Sequence, residues 1–199
     1  MLARKIAFVA IIVAMVVTLQ AMGVSKASAA KNEIIEKYKA NAIEMAGGGG
    51  SSIFEMNIYS WTSDEIRQDL IDEVKKATGS KYNNRDVAKA LRGQKKVGYA
   101  FLAGEQGYPI RYSRKIPHEG KTRIILATDR PVSFDEVYSQ SQLGDYDVTM
   151  VILDVDENGN GEGILSVGTE VTWDDSTDAI KVTNVTSQPV KLTDVRKVK

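Results

Sequence analysis

The sequence predicts an α+β domain dominated by antiparallel β structure, about eight strands curled into a barrel or a sandwich, with two inserted helices. Most segments after residue 53 alternate apolar and polar residues, the period of a half-buried strand. The stretches joining them are short and rich in Gly, Pro, Asn and Asp, which favours antiparallel neighbours. Helical periodicity occurs in two adjacent segments, which places both helices in one insertion.

Taken in order, residues 31–46 suit a short helix, with Ile35, Tyr38, Ala42, Ile43 and Ala46 near helical spacing. Gly47-Gly48-Gly49-Gly50-Ser51-Ser52 then reads as a flexible linker, because each glycine loses the most backbone entropy on ordering. No Lys-Ser or Lys-Thr follows, as a phosphate loop would require. Residues 30–52 are therefore expected to form a helical arm ahead of a β-rich domain at 53–199.

Ile53–Tyr59 is a strand with Phe54, Met56 and Ile58 on one face. Thr62 and Glu65 match a capping box, and Ile66, Leu70, Ile71, Val74 and Ala77 form the stripe of a helix that stops at Gly79. A second helix runs from near Asn84 to Gly93 with Val87, Ala88 and Leu91 inward. Strands follow at Val97–Ala103, Ile110–Ile116, Thr122–Thr128, Tyr146–Val155, Leu165–Trp173, Ala179–Val185 and Pro189–Val198. Ser133–Glu136 could start one helical turn.

The amino terminus speaks to location. Arg4 and Lys5 precede an apolar run from Ile6 to Leu19 interrupted only by Thr18, and Ala27-Ser28-Ala29 offers the small residues at which a signal peptidase cuts. Residues 1–29 read as a cleavable secretory signal peptide, so the mature chain is expected in the periplasm or outside the cell. The competing reading is an uncleaved anchor, since a weakly polar extension to Val24 nears the roughly 20 residues a spanning helix needs. No cysteine near the exit offers a lipid anchor, and no Arg-Arg pair marks the twin-arginine route. Cleavage removes Arg4, Lys5 and Lys26 but no acid, turning a formal charge of zero into −3. A mildly acidic chain has no bulk attraction for nucleic acid, and membrane contact is expected only through an uncleaved signal segment. Without cysteine there is no disulfide, thiolate metal site or cysteine nucleophile.

Few residues announce chemistry. Asp154, Asp156, Asn158 and Gly159 match positions 1, 3, 5 and 6 of a calcium loop, but position 12 is Leu165 and the flanks are strands. An Asn-Gly hairpin turn explains the same residues, so a weak calcium site stands beside it and no other cofactor is expected. The lone His118 sits in the turn Pro117–Gly120, and the sequence lacks Gly-x-Ser-x-Gly, Ser-x-x-Lys and His-Glu-x-x-His.

The hairpin carrying Arg111, Arg114, Lys115, Lys121 and Arg123 is basic. With a four-residue turn Arg114 would oppose Arg123, which calls for an internal carboxylate or a bound anion between them. Arg130 in Asp129-Arg130-Pro131 either pins a loop or clamps a ligand carboxylate. Trp61 and Trp173 are core anchors at strand ends, or Trp173 lines a ligand site at a barrel mouth. Arg111, Arg114, Arg123, Arg130 and Trp173 are thus the candidate ligand contacts.

Met56-Asn57-Ile58 with Trp61-Thr62-Ser63-Asp64-Glu65, Arg111-Tyr112, Ala127–Pro131, Asp145-Tyr146, Gly161-Glu162-Gly163 and Gln188–Leu192 give residues 53–196 a resemblance to a family of exported bacterial proteins of unknown function. The resemblance implies one domain and export, and brings no activity or catalytic residue. The function expected is a non-enzymatic binding domain for a small ligand or an envelope protein. The rival is a carboxylate-dependent hydrolase using Asp129, Asp145 or Glu162.

Overall fold

The computed structural model describes residues 33–43, 51–81, 83–103, 106–132, 147–184 and 189–198; residues 1–32, the four glycines and residues 133–146, with the helical turn expected at Ser133–Glu136, lie outside them. Eight strands close into an antiparallel barrel: β1 (Glu36–Ile43), β2 (Ser51–Ile58), β3 (Gly98–Leu102), β4 (Tyr108–His118), β5 (Lys121–Thr128), β6 (Thr149–Val155), β7 (Gly161–Ser166) and β10 (Val190–Val198). Their order around the barrel is β1-β10-β7-β6-β5-β4-β3-β2. Strands β8 (Thr169–Asp174) and β9 (Ala179–Asn184) form a separate hairpin. Helices α1 (Asp64–Ala77) and α2 (Asn83–Gly93) connect β2 to β3.

The barrel interior is filled. Tyr38, Phe54, Met56, Ile58, Ile110, Ile124, Leu126, Leu153, Leu165 and Leu192 are all buried to within 2% of complete exclusion from solvent. Eight strands enclose only enough room for such side chains or one small ligand, and here side chains occupy it. A second apolar cluster lies outside the barrel, where Leu70, Val74 and Ala77 of α1 and Val87, Ala88 and Leu91 of α2 pack on Ala127, Val148 and Val171, with Tyr112, Met150 and Trp173 at its margin. The helices and the β8–β9 hairpin thus cover the wall made by β4, β5 and β6.

Three expectations need correction. Residues 36–43 are not a helical arm but the barrel strand β1, paired with β2 on one side and β10 on the other. Lys, Glu and Ala favour a helix locally, but the segment also alternates. Tyr38, Ala40 and Ala42 point inward and Lys37, Lys39 and Asn41 outward, and two waiting edges decide the outcome. Leu165–Trp173 is two strands, because Gly168 at φ +64 turns the chain between β7 and β8. Leu165 and Val167 therefore enter the barrel core while Val171 and Trp173 join the helical cluster. About eight strands in a barrel or a sandwich were expected; the described residues hold ten, eight of them closed in a barrel that includes β1 and leaves out β8 and β9.

The third correction concerns caps and turns. Ser63, not Thr62, caps α1, its Oγ accepting from the Ile66 N–H at 3.3 Å. Thr62 instead fastens β4, donating its N–H to the Ser113 carbonyl (2.9 Å) and accepting the Ser113 N–H on its Oγ1 (2.9 Å). The β4–β5 turn is only Glu119-Gly120, both with positive φ (48° and 75°), the two-residue geometry matched to strand twist. That shortens the loop, so Ile116 opposes Arg123 and Arg114 opposes Ile125.

Candidate functional site

With this register the basic hairpin dissolves into separate internal pairs. Arg114 reaches Asp64 at the start of α1 (2.6 Å), and Arg123 holds Asp154 through Nε and Nη2 at 2.8 and 2.7 Å. The guanidinium beside it keeps the Asp154 carboxyl below the usual carboxylate range. Arg111 donates to the Gln94 carbonyl (2.8 Å) and to Asp129 Oδ2 (3.3 Å), which Arg92 also approaches at 3.4 Å. Asp129 is 5% exposed, so these arginines neutralise a buried carboxylate. Arg130 donates to the Gly107 carbonyl at 2.8 Å and lies 5.1 Å over the Tyr108 ring. Trp173 sits in the helical cluster beneath Lys75, whose Nζ is 4.0 Å from its ring centroid. These five residues stand at different places and do not converge.

The calcium pattern is a hairpin turn between β6 and β7. Asp156 Oδ1 accepts the N–H groups of Asn158 (2.9 Å) and Asn160 (2.8 Å), and Gly159 takes φ +81. Asp154 lies within β6 and is held by Arg123. Among the described residues no group of three or more His, Asp and Glu side chains is placed to hold a metal ion.

The hydrolase carboxylates are also apart. Asp129 follows the end of β5, where Thr128 opposes Thr149, while Glu162 opposes Asp154 five residues along β6, a separation of about 16 Å. Asp145 lies outside the described residues.

One barrel mouth carries a polar plug. Glu36 accepts from Tyr38 (Oε2, 2.8 Å), Lys115 (Oε1, 2.5 Å) and Lys197 (Oε1, 2.9 Å), joining β1, β4 and β10. Burial works to raise its pKa, but the three donors outweigh burial and leave it below the ordinary value. Tyr38, buried and facing that carboxylate, has its phenol pushed well above the usual range. Lys115 also lies 4.8 Å from the Trp61 ring centroid, so Trp61 caps the barrel core and belongs to this plug.

Among the described residues nothing covers the opposite wall, made by β10, β1, β2 and β3. Inward positions on β3 are taken by Gly98, Ala100 and Leu102, so Tyr99 and Phe101 stand outside. The Tyr59, Tyr99 and Phe101 rings form a strip with centroid steps of 6.1 and 6.1 Å, the last two rings stacked at 29°. Gly107 leaves room for the stacked Tyr99 and Phe101 rings, since a Cβ there would strike the Phe101 ring, while Tyr59 is tilted 57° to Tyr99.

Cations frame the strip. Lys96 donates to the Tyr99 hydroxyl at 3.0 Å on one side, with Arg130 beyond Gly107. On the other side Lys37 and Lys39 share Glu55 at 2.5 and 3.0 Å, and Arg196 opposes Lys39 across β10. Burial acts to raise the Glu55 pKa, but the two ammonium groups overcome it and hold it low. Ile35, Ile43 and Ile53, all outward on β1 and β2 or just before them, are 47, 39 and 52% exposed. Lys-x-Lys at 37–39 and Tyr-x-Phe at 99–101 were the available sequence signal, together with the small residues Gly98 and Ala100 between the aromatics.

No protein-family model, curated protein or solved structure matches this chain.

Proposed function

We propose that this is an exported, non-enzymatic binding domain that engages a partner at the cell envelope through the bare barrel wall. The observation that carries the reading is the aromatic strip of Tyr59, Tyr99 and Phe101 held half-buried on the outside of a barrel whose interior is already full. Aromatic and large apolar side chains kept at a surface, with three exposed isoleucines beside them, mark an interaction face. The charged start, apolar run and Ala-Ser-Ala exit support export.

The test is co-sedimentation of the purified protein with envelope material from its host. Wild type is expected to sediment with it. Tyr99→Ser/Phe101→Ser is expected to stay in solution while melting at nearly the same temperature. Equal sedimentation of wild type and double variant would discard the wall as the binding face.

A further inference from the structure

We infer that the occupant of the bare wall is a strand of acidic polysaccharide, its sugar faces on the aromatic strip and its carboxylates on the flanking cations; this rests on the wall being the binding face. Charge complementarity gives the sign. Lys96 bonds the Tyr99 hydroxyl, Arg130 lies beyond Gly107, and Lys37, Lys39 and Arg196 extend the cationic side across β1 and β10, against the carboxylates of Glu55 and Asp194. A surplus of cations beside the strip, on an otherwise acidic mature chain, favours an anionic occupant for this wall.

Topology argues against an extended peptide. Each strand of the wall is paired on both sides, β10 with β7 and β1, β1 with β10 and β2, β2 with β1 and β3, and β3 with β2 and β4. Among the described residues no strand of the wall has a whole edge free to take an added strand, so the wall offers chiefly side chains. Flat rings, a tyrosine hydroxyl and ammonium groups match the apolar faces, hydroxyls and carboxylates of uronic-acid units. A lipid surface fits less well, because Ile35 and the pair Ile43 and Ile53 are separated by the charged row of Lys39 and Glu55.

Titration calorimetry with polygalacturonate tests this, with dextran and phosphatidylglycerol vesicles as the other arms. Polygalacturonate is expected to bind and to weaken as salt rises. Tyr99→Ala/Phe101→Ala should lose about tenfold in affinity or more. Lys37→Gln/Lys39→Gln should lose about threefold and flatten the salt dependence. No binding of polygalacturonate, equal binding of dextran, unchanged affinity in both variants, or binding of vesicles in its place would each overturn the inference. If sedimentation with envelope material is lost in the serine variant while polygalacturonate fails to bind, the wall stands and only the ligand class falls. Circular dichroism and melting of each variant separate loss of binding from loss of fold.

Discussion

The two walls of the barrel use similar residues to opposite ends. On the wall of β4, β5 and β6, outward-facing Tyr112, Ala127 and Met150 are roofed by α1, α2 and the β8–β9 hairpin. On the wall of β10, β1, β2 and β3, outward-facing Tyr99, Phe101 and Ile53 have no roof among the described residues. Charges divide less sharply: Arg114 and Arg123 each hold a carboxylate, Arg111 and Arg92 share Asp129, and Lys37 and Lys39 on the other wall share Glu55. The difference lies in the apolar groups, which neighbouring elements cover on one wall and, among the described residues, leave uncovered on the other.

That contrast can be broken by mutation. Leu91→Ala, at the centre of the roof, is expected to cost about 2–5 kcal/mol in urea unfolding and to loosen both helices. Asp129→Ala should cost about 3 kcal/mol, because Arg111 is left partly buried without its carboxylate; Arg92, mostly exposed, should matter little.

Glu36→Gln sharpens the comparison through pH. Since the native pKa of Glu36 lies below its ordinary 4.5, its ionised form stabilises the fold above that value. The advantage of wild type over Glu36→Gln should be full at neutral pH and vanish as pH falls through the depressed native pKa. A constant difference down to pH 2 would show that packing, not charge, is responsible.

Smaller still, Asp156→Ala should cost about 1 kcal/mol by releasing two turn N–H groups, with calcium shifting the melting temperature of wild type little if at all. Last, Tyr99→Ser and Phe101→Ser should each change stability by about 1 kcal/mol or less, which makes the bare wall separable from folding.

Much of the architecture was legible because period-2 patterns are written by burial. Phe54, Met56 and Ile58 alternate and lie inside; Val74, Ala77, Val87 and Leu91 keep helical spacing and face the barrel. The element that escaped, β1, is spelled in helix-forming residues. It is a strand because β2 and β10 leave two edges to fill, and that information is not local. The basic hairpin misled for a related reason. A turn two residues shorter moved Arg114 from opposite Arg123 to opposite Ile125, and its partner Asp64 comes from fifty residues away. The candidate contacts Arg111, Arg123, Arg130 and Trp173 were individually conspicuous, yet sequence carries no record of which carboxylate or carbonyl each one meets. The bare wall was hidden because an aromatic in an alternating strand reads the same whether it faces in or out. Only the crowding that Gly98 and Ala100 relieve inside the barrel settles it.

The plug at the mouth has a temporal meaning. Glu36 and Lys197 are separated by 161 residues, and Tyr38 pairs with Lys197 on the strand that ends the chain. Synthesis runs from the amino terminus, so β1 is made long before β10 exists to receive it. Until then the first strand has a single neighbour and its carboxylate lacks its last ammonium partner. The barrel is in this sense a clasp whose two halves lie far apart in the chain, and it fastens only when β1 and β10 are both present.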